Sequence, residues 1–599
     1  MSVRFFQHSS TRSSARKARF RSLKMRALPQ FNYIFAIGTI FAFLDAWNIG
    51  ANDVANSFAT SVASRSLTLK QAMCIATVME MLGALLVGAR TADTIRTKII
   101  STKLFEEDPS VLMLGMMCAI IGSSVYLTVA TKLSMPVSTT HSIMGGVIGV
   151  GIAAVGPKGI DWTFKGVSSV FAAWAIAPGI AGGFGAIIFL ITKYGVMRRN
   201  NPVYKAFFMV PIYFFVTSFL LTLLICWKGG SAKIKLTDVQ VIWVSIVVGV
   251  VVAVVIATFF IPFLYRRIIK DDWELKTRHI IFGPLLLRRP ELTPRPEGVS
   301  VGNIPDFYAG HLNAEELEMK RAAEARVSDG DVEKTATITA TPVKPDDITP
   351  VGSSHKATTN PGRKLSITKK QPPEGPWYTP AVVFYWVRYA IFRGVEKDVV
   401  TQQSNKDFLS GDIEKVHATG EHYDNRAEYT YSFLQVMTAA TASFAHGAND
   451  VSNAIGPYTA IYFIWSTGEI SKKVPVPLWI LAFGGGCIVL GLWTYGYNIM
   501  RSLGNKITLH SPSRGFSMEL GAAITVILAT KLALPVSTTQ CITGATVGVG
   551  LCNGTWRTIN WRMVAWIYMG WFITLPCAGL ISGCLMGIIL NAPRWGMGV

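Results

Sequence analysis

Gly50-Ala-Asn-Asp-Val-Ala-Asn56 and Gly447-Ala-Asn-Asp-Val-Ser-Asn453 are two copies of one polar cluster, 397 positions apart, each set in a strongly apolar stretch. The first sits near the middle of residues 33–63, a run longer than the roughly 20 residues a helix needs to cross a bilayer. An Asp at that depth is costly unless it faces a polar cavity or a bound cation. Asn and Gly favour unwinding, which would free backbone carbonyls for an ion. An oxygen-only donor set suits a hard cation such as Na⁺, whereas a transition metal would want His or Cys. The candidate cation ligands are therefore Asp53, Asn52 and Asn56 in the first copy, and Asp450, Asn449 and Asn453 in the second. A packed kink with internally satisfied polar groups would explain one such cluster. Two of them at bilayer depth point to a site.

Composition sets the context. The chain has 599 residues, 50% of them hydrophobic and 16% charged, against roughly 25% charged in ordinary soluble proteins. Nearly charge-free windows lie at Gln71–Ala89, Leu112–Thr131, Val170–Thr192, Phe207–Trp227, Val239–Pro262, Val476–Gly496 and Val564–Leu590. No soluble core could bury so many, and none shows the alternation of a membrane barrel. The expected class is an all-α polytopic membrane protein embedded in a lipid bilayer. The net charge of +21 fits Lys and Arg gathered on cytoplasmic loops better than a nucleic-acid partner. The eight cysteines form no C-x-x-C pair, so neither a disulfide framework nor a zinc site is indicated. No P-loop and no nucleophile–base pair appears, which argues against an ATP-driven pump and against an enzyme.

A second repeated motif follows the first. Thr131-Lys-Leu-Ser-Met-Pro-Val-Ser-Thr-Thr140 matches Thr530-Lys-Leu-Ala-Leu-Pro-Val-Ser-Thr-Thr539, and Trp174–Pro178 echoes Trp571–Pro576. Three matches in one order define two copies of one unit. The chain divides into a basic extension (1–32), a first transmembrane repeat (33–193), two linking transmembrane helices (194–266), a cytoplasmic loop (267–431) and a second repeat with the C-terminus (432–599). The loop is expected to be largely disordered, above all over 325–375. Within it, 377–394 reads as an interfacial helix or a short packed segment. Five crossings per copy is an odd number, so the copies run antiparallel, as in many secondary transporters. The basic arm at 1–26 then falls outside, against the positive-inside rule; a start at Met25 would remove most of that conflict.

Pro136-Val-Ser-Thr-Thr140 and Pro535-Val-Ser-Thr-Thr539 read as helix starts, with Pro in the first turn and Ser or Thr as cap. A helix start inside the membrane offers free N–H groups, hydroxyls and the positive end of a dipole, which together bind an anion without Arg. Ser138, Thr139, Thr140, Ser537, Thr538 and Thr539 are the candidates. Cation and anion sites together indicate cation-coupled uptake of a small oxyanion, with phosphate, sulfate and carboxylate all open at this point. His141 and His446 read as core histidines more readily than as pH sensors, and neither as a metal ligand. Asp45 is a further acid at membrane depth that could help bind a cation or orient Asn48.

The doubled G-A-N-D-V-[AS]-N and P-V-S-T-T motifs, the long hydrophilic loop and Phe444–Pro457 resemble the inorganic phosphate transporter (PiT) family. Asn32–Ile37, Ala46–Gly50 and Asp271–Lys276 are similar to its fungal sodium/phosphate symporter branch. The resemblance implies about twelve transmembrane helices in two inverted repeats with re-entrant hairpins. It implies import of inorganic phosphate with Na⁺ as co-transported ion, at the plasma membrane, with no other cofactor. It places functional acids at Asp53 and Asp450, phosphate-contacting hydroxyls at Ser138–Thr140 and Ser537–Thr539, and two further acids at Glu80 and Glu519. H⁺ coupling and a phosphate sensor signalling through the central loop are the alternatives. A homodimer is a candidate assembly.

Overall fold

The computed structural model describes residues 28–98, 102–164, 166–228, 236–290, 304–329, 373, 375–392, 409–471, 474–531 and 536–592. Among these residues there is no strand, and eight helices are long and apolar enough to cross a membrane. Seven of them coincide with the windows read from sequence, and the eighth is Pro29–Ala63. Most of the expected disordered stretch at 325–375 lies outside the described residues.

The first copy comprises α1 (Asn32–Asn52), α2 (Ala55–Ala63), α3 (Leu69–Lys98), α4 (Pro109–Lys132), α5 (Thr139–Val155) and α6 (Val167–Thr192). Two linking helices follow, α7 (Pro202–Lys228) and α8 (Asp238–Val255), the latter continuing through one wide turn into α9 (Ile261–Ile268). The central loop contributes α10 (Ala314–Asp329), α11 (Pro380–Phe392) and α12 (Ile413–Ala418). The second copy holds α13 (Asn425–Thr467), α14 (Leu478–Tyr495), α15 (Tyr497–Ser502), α16 (Pro512–Lys531), α17 (Thr538–Leu551) and α18 (Trp561–Asn591). At 43 residues α13 could span a bilayer with turns to spare. It escapes a hydropathy scan because its buried face carries Glu428, Gln435, His446 and Asp450.

The two copies pack by exchange. A Cβ on Gly50 of α1 would stand 1.8 Å from the Ile488 carbonyl of α14, and one on Gly447 of α13 would stand 2.4 Å from the Glu80 carbonyl of α3. The same exchange recurs later in each copy: Gly149 of α5 meets Gly579 of α18, and Gly548 of α17 meets Gly182 of α6. The motif glycine therefore serves a backbone-to-backbone helix contact of the kind small residues permit in membranes. Unwinding, the role expected for it, occurs in one copy only. In the first, Asp53 and Val54 interrupt the helix, with Asn56 N–H bonding Asp53 O at 2.9 Å in place of a helical bond. In the second, α13 runs through Asp450 unbroken. Its carbonyls stay in the helical ladder, so an ion there would rely on side-chain oxygens.

One end of the bundle is capped by residues 304–329 of the central loop. Tyr308 Oη donates to Glu428 (2.9 Å), Arg65 donates to the Ala309 carbonyl (2.6 Å), and Phe307 is buried. His311 Nδ1 meets His417 Nδ1 at 3.0 Å, and His417 Nε2 donates to the Asn505 carbonyl at 2.6 Å. Burial drives both imidazoles down, His311 to about 3 and His417 to about 4. Burial pulls the nearby Glu421 carboxyl up, but Arg198 and Lys193 outweigh it and hold the group at about 2. Helix α11 exposes Phe384, Trp386 and Val387 while Phe392 stacks edge-on against Trp493 of α14, which fits the interfacial reading.

Candidate functional site

The two helix starts and the two acid clusters meet. Ser138 and Ser537 are the N-caps of α5 and α17. The Ser138 hydroxyl accepts from His141 N–H at 3.2 Å; Ser537 makes no equivalent bond. Pro136 precedes its cap by two residues instead of sitting in the first turn; Pro535 lies outside the described residues. The break before α5 is fixed by Asn52. Its Oδ1 accepts from Val137 N–H (3.1 Å), and its Nδ2 donates to the Thr131 hydroxyl (3.0 Å) and the Met135 carbonyl (3.1 Å). Ser134, at the turn itself, adopts a left-handed φ of 57°. Asn52 thus spends its amide on the hairpin.

Each Thr pair then reaches both copies. Thr139 Oγ1 donates to Asp53 Oδ2 (2.6 Å), and its counterpart Thr538 donates to Asp450 Oδ2 (3.0 Å). Thr539 crosses over, donating to Asp53 Oδ1 (3.0 Å) and accepting from Asn56 Nδ2 (2.7 Å). Thr140, its counterpart, accepts from Asn453 Nδ2 (3.1 Å), which also reaches Thr139 (3.1 Å). Asn449 Nδ2 donates to Asp450 Oδ1 at 2.9 Å. Asp53, Asp450, Ser138, Thr139, Thr140, Ser537 and Thr539 are all buried, and Thr538 is half-buried.

Asp53, His446 and Asp450 each bring a ligand atom within 4.8 Å of the others. Two carboxylates at that separation repel by about 3 kcal/mol at an effective dielectric near 20. An oxyanion added beside them would raise the cost further unless positive charge, from a bound cation or a proton, offset it. His446 is the residue that sequence reasoning undervalued. Its Nδ1 meets Glu80 Oε2 at 2.8 Å, and its Nε2 lies 3.0 Å from Asp450 Oδ2. The signal was present in the i, i+4 spacing of His446 and Asp450 on one helix face. Glu80 also accepts from Ser443 at 2.8 Å. Glu519 stands apart from this cluster. Four donors hold it: Thr60 (2.5 Å), Ser61 (2.6 Å), Thr438 (2.6 Å) and Gln435 (3.1 Å). A narrow cleft beside the cluster is lined by Asn56, Thr60, Gly504, His510 and Thr543.

Buried acids, hydroxyls and amides drawn from two helix breaks inside an apolar bundle define a helical membrane protein that moves small ions. The comparisons agree. Residues 49–582 match the Phosphate transporter family. The chain is 59% identical over 588 residues to the phosphate-repressible phosphate permease pho-4 of Neurospora crassa, covering 95% of this chain and 99% of that one. It is 28% identical to sodium-dependent phosphate transporter 2 of Homo sapiens, covering 94% and 99%. Among solved structures, a chain described as the sodium-dependent phosphate transporter aligns with a TM-score of 0.60 and 25% identity, over 94% of this chain and 100% of that one. The chain belongs to the phosphate transporter family; it is a multi-pass membrane transporter of phosphate and not an enzyme.

Proposed function

We propose that the protein imports inorganic phosphate together with Na⁺ across the plasma membrane by alternating access. The observation that supports this most directly is the meeting of Asp53 and Asp450 with Thr139, Thr538 and Thr539 in one buried cluster. The hydroxyls and helix starts at Ser138–Thr140 and Ser537–Thr539 bind phosphate. The carboxylates of Asp53 and Asp450, with the amide oxygens of Asn56, Asn449 and Asn453, hold Na⁺ beside it. Glu80 acts through His446, and Glu519 braces the lower half of α2 against α13. Na⁺ in excess of the phosphate charge lets the membrane potential drive uptake, at about 2.3 kcal/mol per charge per 100 mV. The reciprocal glycine contacts support two inverted repeats, the α4–α5 and α16–α17 pairs being their re-entrant hairpins within a plan of about twelve membrane-spanning segments. The protein needs no cofactor beyond the co-transported ion and binds no nucleic acid.

Uptake of labelled phosphate at fixed pH, with choline replacing Na⁺, tests the coupling: uptake should collapse, and undiminished uptake would refute it. One observation favours a second reading. The Glu80–His446–Asp450 chain offers a titratable path, so H⁺ coupling predicts uptake that follows external pH and ignores Na⁺.

A further inference from the structure

The polar residues of the first copy extend beyond the central site. Asp45 lies on α1 two turns before Asp53, wholly buried. Ser124 of α4 gives its Oδ1 a long hydrogen bond of 3.4 Å, the Ser123 hydroxyl also lies against the carboxylate, and Oδ2 has no close hydrogen-bond partner among the described residues. Asn48, one turn on, is equally buried. Its Nδ2 donates to the Ser124 carbonyl (3.2 Å) and the Thr128 hydroxyl (2.9 Å). The carbonyl can only accept, which fixes the amide orientation and leaves Asn48 Oδ1 as a second buried acceptor without a donor. No Lys, Arg or His forms an ion pair with Asp45 among the described residues. A bare carboxylate at this depth costs several kcal/mol unless a positive charge meets it.

The second copy shows that these residues act as a set. At the corresponding positions it carries Ala442 for Asp45, Ala445 for Asn48, Ala522 for Ser123, Ala523 for Ser124 and Ile527 for Thr128. Five polar residues are replaced by five apolar ones, whereas Thr131 of the same helix is retained as Thr530. Scattered drift would not clear one constellation and spare its neighbour.

We propose that Asp45, Asn48 and Ser124 form a site for one monovalent cation at the α1–α4 interface, present in the first copy only and separate from Asp53–Asp450. The donors are all oxygen, which selects a hard ion. One carboxylate balances one charge, so a divalent ion would leave a net positive charge buried. Na⁺ is the ion that fits both conditions and the coupling proposed above. The site also has a route to the phosphate hydroxyls. Ser123, adjacent to Ser124, bonds Ser142 at 3.0 Å, two residues beyond Thr140 on α5. An ion bound here would stiffen α4 against α1 and thereby set the position of the α5 start.

This rests on Na⁺ accompanying phosphate, so two readouts are needed. The first is thermal stabilisation of the purified full-length protein by NaCl over equimolar choline chloride, without phosphate. The second is the Na⁺ dependence of phosphate uptake. Asp45→Asn keeps the shape and removes the charge. It should lose part of the Na⁺-specific stabilisation, raise half-saturation for Na⁺ by about tenfold or more, and lower the Hill coefficient for Na⁺. Should that variant fail to accumulate, Ser124→Ala removes one ligand and should shift half-saturation the same way by a smaller factor. Wild-type Na⁺ dependence and wild-type stabilisation in the variants would overturn the site. So would a changed pH profile with unchanged Na⁺ dependence, since the carboxyl would then carry a proton. If wild-type uptake ignores Na⁺, coupling fails; a Na⁺-specific stabilisation lost in Asp45→Asn would still uphold the site.

Discussion

Asp53 and Asp450 occupy the same place in two copies of one motif, yet their surroundings differ. Asp53 is met by two threonine hydroxyls from opposite copies, with Asn56 alongside, at an interruption in its helix. Asp450 sits in an intact helix, with His446 and then Glu80 behind it. The position matching His446 in the first copy is Ile49. Duplication therefore produced two acids in register, and divergence gave one of them an imidazole partner. The lesson is that an equivalent residue in a repeat can hold an equivalent location without holding an equivalent charge environment.

The sharpest way to break this comparison is to neutralise each acid in turn. Asp53→Asn and Asp450→Asn should each lower phosphate uptake by about a hundredfold or more, roughly 2.7 kcal/mol, while membrane abundance is retained. Retained uptake in both would remove the cation assignment. The imidazole comes next. His446→Ala leaves Glu80 and Asp450 buried without their shared partner, and breaking a buried pair costs about 3–5 kcal/mol. Its melting temperature should fall well below that of His141→Gln, which installs the residue the second copy already carries at Gln540.

The hydroxyls sharpen the comparison further. Thr139→Val and Thr538→Val each delete a hydrogen bond to a carboxylate, worth about 1.5–3 kcal/mol, so the phosphate KM should rise by about tenfold or more. Similar changes in both would mean that the two hairpins contribute alike even though the acids do not. Gly50→Ala and Gly447→Ala probe the shared packing; each forces apart backbones already in contact and should cost about 1–3 kcal/mol, read as a lower melting temperature. The smallest effect concerns the cap at 304–329. His311 stays neutral while the segment is docked against His417, whereas on the released segment its imidazole protonates near the ordinary 6.5. Docking is therefore complete above that value and weakens as pH falls from 6.5 toward 3. Limited proteolysis of the segment across that range should show cleavage rising on the acid side.

Much of this was legible in the chain itself. Apolar runs gave all eight membrane helices, seven as clean windows and the eighth as the long stretch over 33–63, because hydrocarbon thickness sets a length that sequence must meet. The doubled motifs marked Asp53, Asp450 and the Thr pairs, because polar groups at bilayer depth have few reasons to exist. What the chain did not disclose is how Asn52 is used. An amide reads the same whether it turns toward an ion or toward a hairpin; only the third dimension brings Val137 and Met135 to it. The roles of Gly50 and Gly447 were obscured likewise, since unwinding and close approach both call for a missing side chain. The four-donor cradle around Glu519 joins residues 60, 61, 435 and 438, a spread across both copies that no local pattern encodes.

The glycine contacts carry one last consequence. Because α1 is locked to α14 and α3 to α13, while α5 is locked to α18 and α6 to α17, neither copy can swing as a unit. The seam along which the molecule could part runs across the ancestral duplication, between one slab built from the early helices of both copies and another built from their late helices. That seam passes through the candidate site, with Asp53 and Asp450 on one side of it and the threonine pairs on the other.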